Sequence, residues 1–395
     1  MNDRQPPPHP GAQLSRREVL RRLGIGGAAL ALPTSALLAA CGGEQGGSGS
    51  STATTAGGGS SDLTGSKIKV ATFGGFFEEN FASFYPRFTE DTGIEVESVS
   101  EPGGDAWIVQ LEQAVRSGGV PADVSMLNNT SLLRAVKGDV VLGYSIDDVP
   151  NSRYLADGFV QENDAGDTVG VGAASWYITL VSNTDRVPES PTTWKALWEP
   201  EWADELALIN TPNTSFLLEI TAACWFPDDA AILETQDGVV EVMAKLAELK
   251  PNVKLWWRDE ATAQQDYNSG EVSLGQFYHD ITTYAISQGE PLATVFPDEG
   301  AVLDSGLWSI TATTSEPEAS IAFIDWMCQP EIQAELATTL GTSPTVAKEH
   351  MDLTDADYEA VSGPGPDAAL RPRYEIYQEW EDWVNQKWAE QIYAE

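Results

Sequence analysis

Hydrophobic and polar positions change period repeatedly along the chain from residue 67 onward. Short runs with a period of two, or wholly apolar and bounded by turn residues, predict strands at 67–73, 94–100, 123–127, 176–182, 206–209, 272–278 and 294–296. Helical spacing of apolar residues predicts helices at 78–91, 105–117, 192–198, 216–225, 239–249, 315–327 and 330–340. Strands and helices therefore alternate, which predicts an α/β fold with parallel strands.

The sequence also predicts a capped helix start after one of the buried strands and a helix near the end of the chain. Asn128 to Ser131 are polar residues that follow a buried strand, and we expect them to cap the start of another helix. The last part of the chain, from Tyr374 to Ile392, carries aromatic and apolar residues at helical spacing and is predicted to be a helix docked on the surface.

A basic and then weakly apolar segment precedes these elements. Residues 15–21, SRREVLR, have a twin-arginine export pattern, and the apolar stretch from Leu23 to Ala40 is interrupted by Pro33. This stretch is marginal for a membrane-spanning helix, so a cleaved signal is favoured over an anchor helix. Its end, residues 38–42 (LAACG), resembles a bacterial lipobox. The resemblance implies a signal segment over 1–41, in which Cys41 is diacylated and becomes the first residue of the mature chain.

Residues 42–66 are dominated by Gly, Ser and Thr, which predicts a flexible linker. Two acyl chains on Cys41 would anchor the protein stably where a single chain is marginal. We therefore expect a folded body tethered to the outer face of the cell membrane, in contact with the membrane only through its lipid.

The charge and cysteine content exclude several classes of protein. The chain has 60 acidic and 22 basic residues and a net charge of -38, which excludes a general nucleic-acid binder. Two interpretations of this acidity remain open: a surface adapted to high salt, or a surface that attracts polycations. Three cysteines exclude a disulfide scaffold, and with three histidines they argue against structural zinc. Cys224 and Cys328 are predicted to be buried thiols, although a disulfide is possible outside the cytoplasm.

Several segments resemble one family in the same order and with similar spacing. Residues 192–201, TTWKALWEPE, resemble the SWxDLWxPEY segment of polyamine-binding proteins of ABC importers. The other matching segments are 73–75 (FGG), 92–94 (TGI), 251–253 (PNV), 270–275 (GEVSLG) and 296–300 (FPDEG). The chain is therefore similar, over nearly all of 67–345, to spermidine/putrescine-type solute-binding proteins.

The resemblance implies a two-lobed periplasmic-binding-protein fold of type II. Its mixed sheets are flanked by helices, and the lobes close on a ligand in the cleft between them. We expect lobe 1 to comprise 67–176 and 306–345, and lobe 2 to comprise 177–305 and 346–395. The implied partners are a small solute and the permease subunits of an ABC transporter. No cofactor and no catalysis are expected, and the chain has no GxxxxGK[ST] phosphate loop.

The resemblance also implies how a ligand is held. In polyamine-binding proteins, aromatic rings cover the methylene chain and carboxylates pair with the ammonium groups. Phe76 and Glu78 align with a Trp and a Glu of the family, and Tyr278 aligns with a cleft aromatic beside Asp280. Glu78 is the first candidate to pair with an amine, and the alternative is a solvated residue in the first turn of a helix. Trp176 and Trp256 fall near the expected cleft, where either a ligand contact or a place in the core is compatible with the sequence.

Two departures from the family pattern affect the ligand. The acidic pair of the second lobe falls on Thr211 and Thr214, and the family's Trp-x-Asp reads Asp304-Ser305-Gly306. Asp304 is predicted to supply the carboxylate from a shifted position, and Trp308 to supply the ring.

The lost acids leave a second ligand class open. Asn129 and Thr130, like Thr211 and Thr214, lie at predicted helix starts, where free N–H groups can bind an organic anion or the acid group of a zwitterion. Arg258 would add a positive charge. The alternative is ordinary helix capping.

Other protein classes fit less well. A secreted hydrolase with paired carboxylates is the alternative from another class, but the acidic residues are too many to single out a pair, and the chain has no GxSxG or HExxH motif. A surface adhesin is expected to lack the α/β pattern. The sequence therefore predicts a lipid-anchored, extracytoplasmic solute-binding protein that delivers a polyamine-like solute to an ABC permease.

Overall fold

The computed structural model describes residues 63–102 and 105–393. The predicted signal at 1–41, its Cys41 and the linker up to residue 62 lie outside the described residues. The side chain of Phe76 also lies outside them. Within the described ranges, no helix has both the length and the apolar character needed to cross a bilayer.

In this part of the chain, ten strands join in a single mixed sheet. They are β1 Lys67–Phe73, β2 Glu95–Glu101, β3 Val124–Asn128, β4 Val160–Glu162, β5 Thr168–Asn183, β6 Leu206–Ile209, β7 Val253–Trp257, β8 Leu274–Tyr278, β9 Leu292–Val295 and β10 Val302–Ile310. Their order across the sheet is β2-β1-β3-β10-β5-β8-β6-β7, with β4 and β9 each paired to β5.

The sheet has two parallel parts joined by an antiparallel middle. β1 pairs in parallel with β2 and β3, and β6 pairs in parallel with β7 and β8. β10 and β5 run antiparallel to each other, β10 also to β3, and β5 also to β8. The long β5 is buried along nearly its whole length, which its continuous run of small and apolar residues allows. β5 and β10 therefore connect the two parallel parts.

The helices pack around this sheet. They are α1 Phe76–Ala82, α2 Tyr85–Thr92, α3 Asp105–Arg116, α4 Asn129–Lys137, α5 Pro212–Ser215, α6 Leu217–Trp225, α7 Gln236–Leu246, α8 Glu260–Ser269, α9 His279–Ser287, α10 Pro317–Met327, α11 Pro330–Leu340, α12 Asp355–Ser362, α13 Tyr374–Glu379 and α14 Glu381–Trp388. The predicted capping of α4 is confirmed, since the Asn128 Oδ1 accepts a hydrogen bond from the Ser131 N–H at 2.8 Å.

The predicted helices differ from the observed ones at two breaks. The single helix predicted at 78–91 is two helices, because Pro86 lies in the first turn of α2, where its missing N–H is tolerated. The apolar helix predicted to start at Phe216 begins one residue later. Phe216 itself has a left-handed φ of 51° and separates the single turn α5 from α6.

Two large hydrophobic cores lie around the two parallel parts of the sheet. The first core includes Phe81, Phe88, Trp308 and Phe323. The second core includes Trp194, Phe216, Phe277 and, from the end of the chain, Tyr377 and Trp388. The tail predicted to be a surface helix is therefore two helices and a last turn at Ala389–Tyr393, with its apolar side chains built into the second core.

The region after residue 345 does not pack as one piece. Val346, Met351 and Tyr358 form a small cluster with Tyr154 and Leu155, which the predicted division assigns to lobe 1. The Ala347 N–H donates to the Tyr154 carbonyl at 2.8 Å, and Val346 forms a bridge with Leu155. The later residues of this region, from Leu370 onward, pack against the second core.

Cys224 and Cys328 are buried, unpaired thiols, as the apolar runs around them predict. Burial raises the pKa of the Cys224 thiol to about 12 and also raises that of Cys328. In a Cys41→Ser variant, we expect both thiols to react with a disulfide reagent at least about a hundredfold more slowly than free cysteine. Unfolding in denaturant should release two equivalents of thiol; rapid reaction of the folded protein would contradict this placement.

Candidate ligand-binding site

A cavity of about 330 Å³ lies against the antiparallel middle of the sheet. It is lined by Phe73, Gly74, Phe77, Asn128, Trp176, Ile178, Thr214, Glu260, Tyr278, Asp280, Ile281 and Asp304. Phe73, Asn128 and Tyr278 are the last residues of β1, β3 and β8, and Trp176 and Asp304 lie opposite each other on β5 and β10. The carboxyl ends of parallel strands from both parts of the sheet thus meet at one cavity, which is where ligands bind in open α/β sheets.

Three aromatic rings form one wall of this cavity. The ring centroids of Phe73 and Phe77 are 5.7 Å apart, and Trp176 lies 6.1 Å from Phe73 and 6.4 Å from Phe77. All three pairs meet edge to face, a favourable arrangement for aromatic side chains. The rings hold one another in place before a ligand arrives, and they offer an apolar surface with π-faces to a methylene chain or an ammonium group.

Three carboxylates, from Glu260, Asp280 and Asp304, also line the cavity, and its lining includes no lysine or arginine. The Asp280 Oδ1 is buried and has no hydrogen-bond partner among the described residues. Burial raises the pKa of Asp280 to about 7, and the nearby Glu260 carboxylate contributes in the same direction. Asp280 is therefore a half-buried acid with one buried, unpartnered oxygen, and an incoming cation would stabilise its charged form.

Asp304 is held by its surroundings through one oxygen. Its Oδ1 accepts hydrogen bonds from the Tyr374 hydroxyl at 2.6 Å, the Ser305 N–H at 2.8 Å and the Asn129 Nδ2 at 3.3 Å. Burial raises the pKa of Asp304, while these three hydrogen bonds act in the opposite direction. The carboxylate is fixed in orientation by its own protein.

Glu260, the third acid, was not predicted from the sequence. It is the first residue of α8, whose start is capped by Asp259 through the Thr262 N–H at 2.8 Å. Its side chain reaches solvent at the mouth of the cavity, yet burial against the cavity wall and the Asp259 charge raise its pKa. A signal was available: had β7 been recognised at 253–257, the residues just after it would have been expected at the ligand-binding edge.

The cavity brings together five of the residues predicted from the sequence: Trp176, Thr214, Tyr278, Asp280 and Asp304. Asn129 lies behind it, 6% exposed, and braces Asp304 and Ser305. The backbone of Phe76 begins α1 next to the cavity-lining Phe77.

Three predicted residues lie away from the cavity. Glu78 is in the first turn of α1, and its Oε1 accepts a hydrogen bond from the Ser98 Oγ at 3.3 Å. Trp256 packs edge to face on Trp388 of the tail, with ring centroids 6.4 Å apart. Trp308 is completely buried in the first core between Phe81 and Phe323, each 5.3 Å away. The predicted ring contact from Trp308 is corrected accordingly, because its strand turns that side chain into the core.

Thr130 and Thr211 line a second, more polar cavity of about 510 Å³. This cavity shares Asn128 and Thr214 with the first and also contains Arg134 and Lys137. The Thr211 and Thr214 hydroxyls hydrogen-bond to each other, and the Thr130 Oγ1 donates to Asn128 at 3.1 Å. The helix start at Asn128 is thus capped by its own side chain, in agreement with ordinary capping. Within the described residues, no group of three or more His, Cys, Asp or Glu is placed to hold a metal.

Known proteins with similar sequences and structures bind small solutes. The spermidine/putrescine-binding periplasmic protein 1 of Haemophilus influenzae is 25% identical over 78% of this chain and 83% of that protein. The gamma-aminobutyric acid-binding protein of Pseudomonas aeruginosa is 23% identical over 54% of this chain and 64% of that protein. The crystal structure of a spermidine/putrescine ABC transporter substrate-binding protein from Streptococcus pneumoniae superimposes with a TM-score of 0.69, covering 82% of this chain and 98% of that one at 19% identity.

The structural likeness establishes the two-lobed fold of periplasmic binding proteins for this chain. A sequence model described as "Bacterial extracellular solute-binding protein" matches residues 84–360, more than half of the chain. The match includes the cavity residues from Asn128 to Asp304. The chain therefore belongs to the family of bacterial extracellular solute-binding proteins, and it is a solute-binding protein of ABC import rather than an enzyme.

Proposed function

We propose that this protein captures a polyamine-like solute of the spermidine or putrescine type in the aromatic and acidic cavity. The observation that carries the proposal is the composition of that cavity, in which three carboxylates and an aromatic wall occur with no lysine or arginine. Such a lining repels anions. It favours an organic cation that has an apolar chain between its charges.

Each part of the cavity has a role in this binding. Asp280 pairs with an ammonium group, since its Oδ1 lacks a partner. Asp304 and Glu260 provide the further negative charge that a second ammonium group requires. Phe73, Phe77 and Trp176 cover the methylene chain, and an ammonium group near a ring gains ~0.5–2 kcal/mol from the cation–π interaction. In this chain, Thr211 and Thr214 stand where the family has its pair of acids. The cavity acids would supply the missing negative charge from other positions.

The proposal also includes where the protein works. A twin-arginine segment, a lipobox-like end at Cys41 and a Gly/Ser-rich linker support export and lipid anchoring on the outer face of the cell membrane. The relatives' roles in transport support delivery of the solute to the permease of an ABC importer. We assign the lobes to 67–176 with 306–345 and to 177–305 with 346–395, with the cluster around Val346 as a contact between them. The acidity is compatible with a surface adapted to high salt.

A zwitterion is the second candidate ligand, favoured by the polar cavity next to the first. The two cavities share Asn128 and Thr214, and Lys137 lines the polar one. An amine at Asp280 and an acid group directed toward Lys137 would occupy both. The similarity to a gamma-aminobutyric acid-binding protein supports this candidate.

Thermal-shift and calorimetric measurements on the purified protein in high salt distinguish these ligands. The set contains putrescine, spermidine, gamma-aminobutyric acid and glutarate, which differ in the number and sign of their charges. We expect putrescine and spermidine to raise the melting temperature, because a ligand at a hundred times its dissociation constant adds ~2.7 kcal/mol of stability. Glutarate, which has no ammonium group, should have no effect.

The outcomes separate the two candidates. A shift with gamma-aminobutyric acid but not with putrescine would replace the first candidate by the second. A shift with glutarate alone would contradict both, because it would require the cavity acids to be absent from the site.

A further inference from the structure

The end of the chain reaches the proposed ligand site from outside the region that the family model matches. That match ends at residue 360, and Tyr374 is the first residue of α13. Its hydroxyl donates to the Asp304 Oδ1 at 2.6 Å, and the Asn129 Nδ2 donates to the same hydroxyl at 3.2 Å. Asn129 and Tyr374 therefore form a closed set of hydrogen bonds with Asp304.

The tail on which Tyr374 lies is fixed to the second core. The Tyr377 hydroxyl donates to the Glu219 Oε2 at 2.8 Å, and the Arg373 N–H donates to the Glu219 Oε1 at 2.9 Å. The ring of Tyr374 itself packs edge to face on Phe216, with centroids 6.1 Å apart. The position of the hydroxyl is thus set by contacts in the second core, although it acts on β10 and on the start of α4.

The geometry points to Tyr374 as a positioning residue for ligand binding: it fixes the Asp304 carboxylate in the orientation and charged form that an ammonium group requires. A hydrogen bond from a hydroxyl to a carboxylate is short and strong only when the acceptor is ionised. The inference rests on the proposed function, because it assumes that Asp304 faces a cationic ligand.

The other groups around Asp304 must be separated from this effect. Asp280 and Glu260 share its cavity, Tyr278 lies beside them, and Asn129 and the Ser305 N–H bind the same oxygen. Arg371 acts on Tyr374 from the tail, and Glu219 acts on it from α6. All of them remain in a Tyr374→Phe variant, which removes only the hydroxyl and keeps the ring on Phe216. The titration of these other groups affects both proteins alike, so it cancels in the ratio of variant to wild-type affinity.

The test is putrescine affinity measured by calorimetry from about pH 5 to about pH 8 in wild-type protein, Tyr374→Phe and Tyr393→Phe. Loss of the Tyr374 hydroxyl raises the pKa of Asp304, so the carboxylate is protonated at a higher pH. We expect Tyr374→Phe to bind about tenfold more weakly near pH 6, with a smaller difference near pH 8. Tyr393→Phe removes a hydrogen bond from the same tail, in which the hydroxyl donates to the Asn210 carbonyl, and should give a ratio that does not change with pH. A pH-independent ratio for Tyr374→Phe would overturn the inference.

A second measurement needs no ligand. In protein labelled with ¹³C at aspartate carboxyl groups, the Asp304 resonance is identified by its loss in Asp304→Asn, and its titration is followed in wild type and Tyr374→Phe. A higher midpoint in the variant supports the positioning role, and an unchanged midpoint overturns it. If wild-type protein binds no amine, the proposed function fails, and this titration still decides whether Tyr374 controls Asp304.

Discussion

Asp280→Asn is expected to weaken putrescine binding by about a hundredfold at pH 8, the equivalent of roughly 3 kcal/mol. The reason is the state of this carboxylate in the free protein. Its Oδ1 is buried without a hydrogen-bond partner among the described residues, so an ammonium group supplies the interaction that the fold leaves unmade. An asparagine has a similar shape but offers no charge.

The matched control is Glu78→Gln, which makes the same chemical change at the acid that the family resemblance assigns to the ligand. Because Glu78 does not line the cavity and accepts a hydrogen bond from Ser98, we expect its affinity to stay within about twofold of wild type. Calorimetric titration of putrescine into wild type, Asp280→Asn and Glu78→Gln measures the change in affinity caused by each substitution. A large loss in Glu78→Gln with none in Asp280→Asn would show that the cleft binds its ligand through the family's position instead.

The same residue gives binding a defined dependence on pH. The pKa of Asp280 is raised to about 7 by burial, and a bound cation lowers it again. Below about pH 7, binding must therefore release a proton, and affinity falls as the pH is lowered. The slope below pH 7 should be reduced in Asp280→Asn. Calorimetry in buffers with different ionisation enthalpies measures the released proton directly.

The effect of Asp280 on the stability of the free protein has the opposite dependence on pH from its effect on ligand affinity. Its folded-state pKa lies above the ordinary value of 3.8, so the contribution of Asp280 to stability is present at low pH and is lost as the pH rises toward about 7. The free Asp280→Asn protein should consequently be no less stable than wild type at pH 8. Weaker binding in a protein of equal or higher melting temperature excludes unfolding as the cause.

The sequence predicted the strands that have simple apolar patterns and missed those that do not. β1, β3 and β6 are short buried runs bounded by polar or glycine residues, and they lie within one residue of the predicted ranges. β10 was missed because Asp304, Ser305 and Gly306 in its middle are typical of a loop. These residues are in a strand because all three pair with β5, and Gly306 also pairs with β3, which satisfies their backbone groups.

The candidate site could be predicted only as far as local sequence specifies it. Tyr278 ends a recognisable strand and Asp280 follows it, so their place at its carboxyl end was predictable. Tyr374 was not, because its contact with Asp304 joins residues 70 positions apart through a tail that no periodicity assigns to the cavity. The position of the Trp308 side chain was not predictable for a related reason. Without the register of β10, the sequence does not show which face of the strand an aromatic side chain occupies.

Trp308→Ala is expected to lower the free energy of unfolding by roughly 3–5 kcal/mol, the usual cost of removing a large aromatic side chain from a packed core. Trp308 is fully buried, and its ring meets Phe81 and Phe323 edge to face at 5.3 Å each, so the cavity left behind cannot fill without moving both. Ligand affinity of the folded variant should change by less than about threefold, because neither Trp308 nor these partners line the ligand cavity.

Trp176→Ala is the matched variant, with the same atoms removed from a side chain that lines the cavity. It should weaken putrescine binding by about tenfold or more through loss of apolar and cation–π contact, with less than half the loss of stability seen for Trp308→Ala. Denaturant unfolding and calorimetry on both variants give the four values required. The sequence predicts a ligand contact for Trp308 and leaves Trp176 open between a ligand contact and the core, whereas the structure places only Trp176 at the cavity. Equal losses of affinity in the two variants would contradict this placement.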